Sequence, residues 1–206
     1  MSPELYFIAG PNGCGKSTFA NYLLENPETK GLTYICPDTL ALEIKSEQPE
    51  LSDTEINKLA WMRARILRDE CVLRGESFIN ESVCSHESHL EFLQHAKQRG
   101  FKIYVIYVTL NSSTKCIERV NKRVTEGGHG VEPRKITERY ERSLNLLPSL
   151  MEISDRCLVF DNTTHYRLIF DKNDNTYTCL LADSALSQRI IHALYAQKIE
   201  VFYFHS

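Results

Sequence analysis

The sequence lacks the features that would place the protein in a membrane or on a nucleic-acid polymer. Its 206 residues contain no apolar run near the roughly 18–20 residues of a transmembrane helix. The opening stretch, MSPELYFIAG, has no basic segment and no cleavage site, so no signal peptide is expected. A formal net charge of −3 argues against a general nucleic-acid coat and against a membrane-surface binder.

Paired cysteines are also missing. The chain has seven cysteines, which is an odd number, and no two of them form a CxxC pair. This pattern fits neither a disulfide framework nor a zinc site, and it is typical of a reduced protein. A cytoplasmic location is therefore predicted. The cysteines are Cys14, Cys36, Cys71, Cys84, Cys116, Cys157 and Cys179.

What the chain does have is an alternation of strand-like and helix-like segments through residue 161. The alternation predicts an α/β fold with a parallel sheet flanked by helices, and the length suits a single domain over 1–206. The predicted strands are Glu4–Ala9, Leu32–Cys36, Ser77–Asn80, Phe101–Leu110 and Cys157–Phe160. The predicted helices are Ser17–Glu25, Thr39–Lys45, Thr54–Leu73, His86–Gln98, Ser113–Val124 and Pro133 to about Leu146.

The tail differs in character from the rest of the chain. Two strand-like runs flank Asn173-Asp174-Asn175 and predict a β-hairpin. A helix over Ser184–Ala196 and a strand-like end over Glu200–Phe204 follow. The sequence therefore predicts a small C-terminal appendage, about 163–206, of hairpin plus helix.

One motif carries most of the chemistry. The first strand is followed by Gly10-Pro11-Asn12-Gly13-Cys14-Gly15-Lys16-Ser17 and then by a helix, as in a P-loop (G-x-x-x-x-G-K-[ST]). Glycines let backbone N–H groups point at one phosphate chain, and the helix N-terminus adds its positive dipole end. Lys16 is predicted to reach the β- and γ-phosphates, and Ser17 to offer a hydroxyl to Mg²⁺. The predicted nucleotide-binding residues are Gly10, Asn12, Gly13, Cys14, Gly15, Lys16, Ser17 and Thr18.

Acidic residues follow three later strand-like runs, at Asp38, Glu81 and Asp161. Ligands of open parallel sheets bind beyond the carboxyl ends of the strands, where an acid can accept a hydroxyl proton or hold Mg²⁺ through water. Each acid could equally be a helix N-cap or a solvated strand end. Asp38 could cap the helix at Thr39, and Asp161 could belong to a simple turn.

A basic stretch lies between residues 115 and 142, and its charge opposes that of the whole chain. Arg119 and Arg123 share one helix face, and Arg139 and Arg142 share another. Two arginine-bearing helices joined by Gly127-Gly128-His129-Gly130 could close over phosphates; salt-bridged surface helices, with Glu138 and Glu141 pairing the arginines, are the alternative. The basic residues are Lys115, Arg119, Lys122, Arg123, Arg134, Lys135, Arg139 and Arg142.

Histidines offer weaker signals. His86 and His89, with His95 nearby, lack the partners of a zinc site and are interpreted as part of a surface helix. His129, in the glycine hinge, could contact a phosphate or simply occupy a turn.

Several stretches together resemble one family, the zeta toxin-like P-loop kinases. They are GPNGCGKST at 10–18, the Pro-Asp-x-x-Ala run at 37–41, FINES at 78–82, and RVNKRVTEGGHGVEPRKITERYERSLNLL at 119–147. The last stretch is similar to the family's lid, here about 115–147. The resemblance covers about residues 4 to 162 and leaves the tail out.

The resemblance implies roles for individual residues. Asp38 matches the general base toward an acceptor hydroxyl, and Glu81, with Ser82 beside it, matches the third-strand acid that orients the acceptor or a magnesium water. Arg123 and Arg139 match the lid arginines that clamp phosphates, with Arg142 close behind. The resemblance further implies ATP and Mg²⁺ as cofactors, a small-molecule acceptor such as UDP-N-acetylglucosamine, and an antitoxin protein as a partner.

Some positions depart from the family pattern. Cys36 stands where relatives often carry Asn, Glu138 where an arginine is common, and Cys14 is an unusual P-loop residue. The sequence hypothesis is an ATP- and Mg²⁺-dependent kinase of a small-molecule hydroxyl. Its rivals are a nucleotide-driven ATPase or switch acting on a protein partner and a polynucleotide 5′-kinase, which the acidic balance outside the lid disfavours.

Overall fold

The computed structural model describes residues 2–128 and 130–204. Within them the chain forms one eight-stranded sheet and seven helices, which confirms the predicted α/β fold class. The strands are β1 (Glu4–Ala9), β2 (Thr33–Ile35), β3 (Phe78–Ser82), β4 (Lys102–Thr109), β5 (Arg156–Asp161), β6 (Arg167–Asn173), β7 (Thr176–Cys179) and β8 (Phe202–Tyr203). The helices are α1 (Lys16–Glu25), α2 (Pro37–Glu47), α3 (Asp53–Arg74), α4 (Ser88–Gln98), α5 (Ser113–Thr125), α6 (Pro133–Ile153) and α7 (Ala185–Ala196).

The sheet order is β2-β3-β1-β4-β5-β6-β7-β8, and its first five strands are parallel. β1 lies between β3 and β4 because its apolar side chains are buried on both faces: Leu5, Phe7 and Ile8 are fully buried. Ala9, the last residue of β1, pairs with Ser82. The turn that follows β1 therefore emerges beside the carboxyl end of β3, where the sequence places Glu81.

The predicted hairpin exists and continues the main sheet. β6 pairs antiparallel with β5 and with β7, so the C-terminal appendage adds strands to the sheet edge. The strand predicted over Glu200–Phe204 is reduced to the two residues of β8, which pair parallel with β7.

Two helices extend beyond their predicted limits by more than one residue. α2 begins at Pro37 rather than Thr39, because proline is already restricted to the φ of a first helical turn. Asp38 is consequently in the first turn of α2, and Cys36 takes the N-cap position. α6 continues past Leu146 to Ile153 and includes Pro148, since a buried apolar face holds it against the sheet.

Candidate active site

The turn between β1 and α1 needs glycine at specific positions. A Cβ on Gly10 would lie 1.9 Å from the carbonyl oxygen of Val108 on β4. Gly15 is the N-cap of α1 with a φ of 104°, and its Cβ would lie 2.6 Å from both Asn162 Nδ2 and Tyr166 OH. Any other residue would strain or displace this loop, so its backbone shape depends on the glycines that the motif requires.

The N-terminus of α1 is open to an anion. Its N-cap has no side chain to accept a hydrogen bond, and its first turn contains no acidic residue. The first backbone N–H groups of a helix have no partner inside the helix and carry the positive end of its dipole. This end of α1 therefore fits a phosphate group.

Lys16 is buried in the loop. Its Nζ donates a hydrogen bond to the carbonyl oxygen of Pro11 at 3.0 Å. Burial alone would lower the pKa of Lys16, but interactions with Cys14, Glu81 and Asp38 raise it above its usual value. Lys16 thus keeps its positive charge under the loop.

Ser17 and Glu81 meet across the site. The Ser17 hydroxyl donates to Glu81 Oε1 at 3.0 Å, and the Tyr34 hydroxyl donates to Glu81 Oε2 at 2.6 Å. Burial, followed by the charge of Glu81, raises the pKa of Tyr34 well above its usual value, so its phenol stays protonated and continues to donate. A hydroxyl and a carboxylate oxygen are suitable ligands for Mg²⁺, which in such sites also takes phosphate oxygens and water.

These groups fit a nucleotide and its metal ion. The lysine ammonium and the uncapped helix end would hold the phosphate chain, and the Ser17–Glu81 pair would hold Mg²⁺ directly or through water. Cys14 contributes to this site through its backbone only, because its side chain is fully buried in the core.

The acids after the strands have different surroundings. Asp38 is exposed, yet it lies near enough to Lys16 to raise the pKa of that lysine. Asp161 instead belongs to a turn: its Oδ1 accepts from the N–H and hydroxyl of Thr163, and its Oδ2 lies 3.7 Å from Arg167. Of the two interpretations left open by the sequence, the turn is the one this geometry favours for Asp161.

Ser82 contacts α4 rather than the P-loop. Its Oγ lies 2.7 Å from His89 Nε2 and accepts a hydrogen bond from the N–H of Cys84. His89 lies in α4 and is half-buried, whereas His86 is exposed and lies just before that helix. Burial lowers the pKa of His89 below its usual value, and the charge of Arg68 adds to the effect.

The lid residues lie on α5 and α6, and Arg139 of α6 reaches the P-loop. Its Nη1 lies 3.5 Å from the Oδ1 of Asn12. Arg123 packs against Gly128, where a Cβ would lie 2.6 Å from its Cγ, and Arg142 is exposed on α6. His129, between these helices, lies outside the described residues.

Of the salt bridges predicted for the lid, that of Glu138 lies within it, and that of Glu141 involves an arginine outside it. Glu138 pairs with Arg134 at 2.8 Å, and Glu141 pairs at 2.6 Å with Arg189 of α7. The acids of α6 therefore leave Arg139 available to Asn12.

The sequence did not identify two residues, Asn162 and Tyr166, that brace the P-loop from the start of the tail. Asn162 Nδ2 donates to the carbonyl oxygen of Cys14 at 2.9 Å, and Tyr166 OH donates to that of Gly15 at 2.6 Å. Arg119 holds the brace in place by donating to the carbonyl oxygens of Asn162 and Thr163. The only signal for them in the sequence is their position just after the last parallel strand.

The fold and this site together define a P-loop protein of the kinase-like class: a parallel sheet, a phosphate-binding turn after its central strand and a carboxylate on the neighbouring strand. The family model for the zeta toxins matches residues 1–179. The chain belongs to the zeta toxin family. This confirms the resemblance drawn from the P-loop and the lid, and it supports a nucleotide-binding, kinase-type protein.

Individual relatives agree with this assignment. A Haemophilus influenzae protein without an assigned function is 28% identical over 140 residues, which are 68% of this chain and 94% of that protein. The PezAT toxin–antitoxin system of Streptococcus pneumoniae matches in structure with a TM-score of 0.55 and 14% identity, over 100% of this chain and 79% of that one. At such identity the similarity concerns the fold.

A second solved structure, the complex of AvrRxo1-ORF1 and AvrRxo1-ORF2 with ATP, gives a TM-score of 0.70 at 13% identity. The match covers 96% of this chain but 63% of that one, so this chain spans less than two thirds of its length. In the part of the chain that the structure describes, no helix combines the length and apolarity needed to cross a membrane.

Proposed function

We propose that the protein is an ATP- and Mg²⁺-dependent phosphotransferase that acts on a hydroxyl group of a small molecule. The observation that carries the proposal is the position of Asp38: an exposed carboxylate in the first turn of α2, directly after the carboxyl end of β2, which is the sheet neighbour of the β3 strand that contains Glu81. A carboxylate at this edge of the sheet can take the proton of an acceptor hydroxyl, which is the role of the general base in a kinase.

The roles of the other residues follow from their contacts. Lys16 and the N-terminus of α1 hold the β- and γ-phosphates of ATP, and Mg²⁺, held by Ser17 and Glu81, supplies charge neutralisation on the phosphate oxygens. Asp38 accepts the proton of the acceptor hydroxyl. Arg139, anchored at Asn12, places a guanidinium over the loop, and Arg123 and Arg142 join it when the lid closes.

The acceptor and the partner belong to the same proposal. Family membership makes UDP-N-acetylglucosamine the first acceptor to test, within a panel of nucleotide sugars and free metabolites. The PezAT system is a toxin–antitoxin pair, which supports an antitoxin as a partner of this chain. The identity of the acceptor and the existence of an antitoxin partner can each be tested independently of the phosphotransferase activity.

The test is the substitution Asp38→Asn, assayed with [γ-³²P]ATP. Removing a general base is expected to lower transfer by about 10²–10⁴-fold while ATP binding is retained. Glu43→Gln is the matched control, because Glu43 lies on the same helix and pairs with Arg63 at 3.7 Å. Full transfer by the Asp38 variant would refute the assigned base, and ATP turnover without any labelled acceptor would favour an ATPase.

A further inference from the structure

Helix α3 presents a row of apolar side chains to solvent, which we call the apolar stripe. Leu59, Met62, Ile66 and Leu73 are 39%, 44%, 56% and 73% exposed. Because they are three, four and seven residues apart, they lie on one face of the helix. A contiguous row of large exposed apolar side chains indicates a surface that another molecule covers.

The apolar stripe is distinct from the faces by which α3 meets the rest of the chain. One face is buried, and Trp61, Arg65 and Arg68 on another line a groove between α3 and α4. With 3.6 residues per turn, the stripe falls on a third face of the helix. It contains no residue of the phosphate site, so a protein that covers it need not block that site. The buried residues of α3 are Ile56, Ala60, Ala64, Cys71 and Val72.

The charges on the two borders of the stripe change sign at Ile66. On one border Arg63 precedes Ile66 and Glu70 follows it. On the other border Arg65 precedes Ile66 and Asp69 follows it. Each border is therefore basic on the N-terminal side of Ile66 and acidic on the C-terminal side.

This pattern is complementary to itself when two copies of α3 lie antiparallel. With Ile66 of each copy at the two-fold axis, Leu59 lies opposite Leu73 of the second copy, because each is seven residues from Ile66. Arg63 then meets Glu70 of the second copy on the same border of the stripe, since an antiparallel two-fold keeps each border on its own side. The apolar residues and the charges thus match in one register.

A parallel pair of α3 helices does not have this match. A two-fold axis along the helices would bring the two borders together, so that Arg63 would lie beside Arg65 of the second copy and Glu70 beside Asp69. Like charges placed next to each other oppose association. The charges therefore select the antiparallel arrangement.

The ion pairs that these residues form within one chain do not prevent the contact. They lie on the surface, where an ion pair contributes little and its partners can be exchanged. Their distances are 3.7 Å for Arg63–Glu43, 3.9 Å for Arg65–Asp69, 3.6 Å for Arg68–Asp69 and 3.1 Å for Glu70–Arg74.

We propose that the apolar stripe is the interface of a homodimer, in which the α3 helices of two copies of this chain pack antiparallel about Ile66. The contact from Leu59 to Leu73 is about 20 Å long, so its area is at the small end of specific protein interfaces. We therefore expect a reversible dimer with a dissociation constant on the order of micromolar. This proposal does not depend on the phosphotransferase function.

Sedimentation velocity of the full-length protein tests the dimer. Over an about hundredfold range of concentration the wild type should change from monomer to dimer, since association follows mass action. Ile66→Glu places two carboxylates at the two-fold axis and should weaken association about a hundredfold or more. Phe204→Glu is the matched control: Phe204 is 64% exposed after β8, at the sheet edge opposite to β2, and should associate like the wild type.

Two charge reversals test the antiparallel register. Arg63→Glu and Glu70→Arg each place like charges at two symmetric contacts, so each variant alone should dimerise about tenfold more weakly. In an equimolar mixture, Glu70 of the first variant faces Arg63 of the second, and the two substituted residues also have opposite charges. The mixture should therefore form a heterodimer of about wild-type affinity, measured with one variant carrying a fluorescent label.

The outcomes decide between a second copy and other partners of the stripe. A wild type that stays monomeric throughout the range overturns the dimer and favours a different protein on the stripe. Association that survives in Ile66→Glu but is lost in Phe204→Glu overturns it too, because the contact would then lie at the sheet edge. If circular dichroism shows that Ile66→Glu is unfolded, the charge reversals carry the test, and a mixture that associates no better than its components contradicts the antiparallel register.

Discussion

The two sides of β3 are built in opposite ways. On the Glu81 side, contiguous residues from Gly10 to Thr18 form the loop, its lysine is buried, and Asn162 and Tyr166 brace its carbonyl groups. On the Ser82 side, α3 and α4 contribute separated residues to an open groove in which Trp61 is half exposed. The comparison teaches that the loop side is preorganised by a buried lysine and by hydrogen bonds to its carbonyl groups, whereas the groove side is open to solvent.

The largest loss of phosphoryl transfer is expected from Lys16→Met, because this substitution removes the buried cation of the loop side. Removing a preorganised cation from the phosphate site should lower phosphoryl transfer by about 10²–10³-fold, measured with [γ-³²P]ATP. Methionine is apolar and of similar length, so the buried position stays filled and the thermal transition should persist.

A moderate rise in KM for ATP is expected from Tyr166→Phe, which removes one of the side-chain hydrogen bonds that hold the P-loop. The variant loses the hydrogen bond to the Gly15 carbonyl but keeps the ring, which packs 5.9 Å from Phe19 and 6.4 Å from Phe160. A net loss of about 1 kcal/mol should raise KM for ATP about fivefold with little change in kcat.

Tyr195→Phe is the control for this substitution. Its hydroxyl pairs with that of Tyr203 on the exposed C-terminal edge, 2.8 Å away and apart from the loop. Equal KM values for the Tyr166 variant and the control would argue that the brace does not position the loop.

The features that the sequence predicted well are those that depend on residues close together in the chain. Strand–helix alternation predicted the sheet, and the spacing of Gly10, Gly15, Lys16 and Ser17 predicted the phosphate loop, since each depends on residues close in the chain. The capping box that Ser52 and Glu55 form at the start of α3 is likewise a feature of residues close in the chain.

The parts that sequence missed depend on contacts between distant residues. Asn162 and Tyr166 reach the loop across 148 and 151 positions, and no local pattern encodes such a pairing. His89 illustrates a related limit: the sequence predicted a surface helix, and the half-burial of the His89 side chain and its contact with Ser82 depend on how the helix packs in the folded chain. The roles of Asp38, Arg123 and Arg142 stay predictions until the variants are assayed.

The smallest effect is expected from a change of pH. Lys16 on one side of β3 and His89 on the other should respond to it differently. Between pH 7.5 and 5.5 Lys16 keeps its charge, because its pKa is raised. His89 behaves differently: burial, with Arg68 of α3 facing it, lowers its pKa below the usual 6.5, against the opposing effect of its hydrogen bond to the His86 carbonyl. As the pH falls below 6.5, the unfolded chain takes up a proton that the folded His89 resists, so the free energy of unfolding decreases.

His89→Gln should remove this contribution, since glutamine keeps a hydrogen-bonding group toward Ser82 and does not titrate. Urea unfolding at pH 7.5 and 5.5 should show the wild type losing more stability on acidification than the variant. His86→Gln, exposed on the same segment, should follow the wild type. The free energy of unfolding could instead depend on pH in the same way in the wild type and in His89→Gln. The His89 ring would then be as easily protonated in the folded protein as in the unfolded chain, and the Ser82 side would lack the titrating group that distinguishes it from the P-loop.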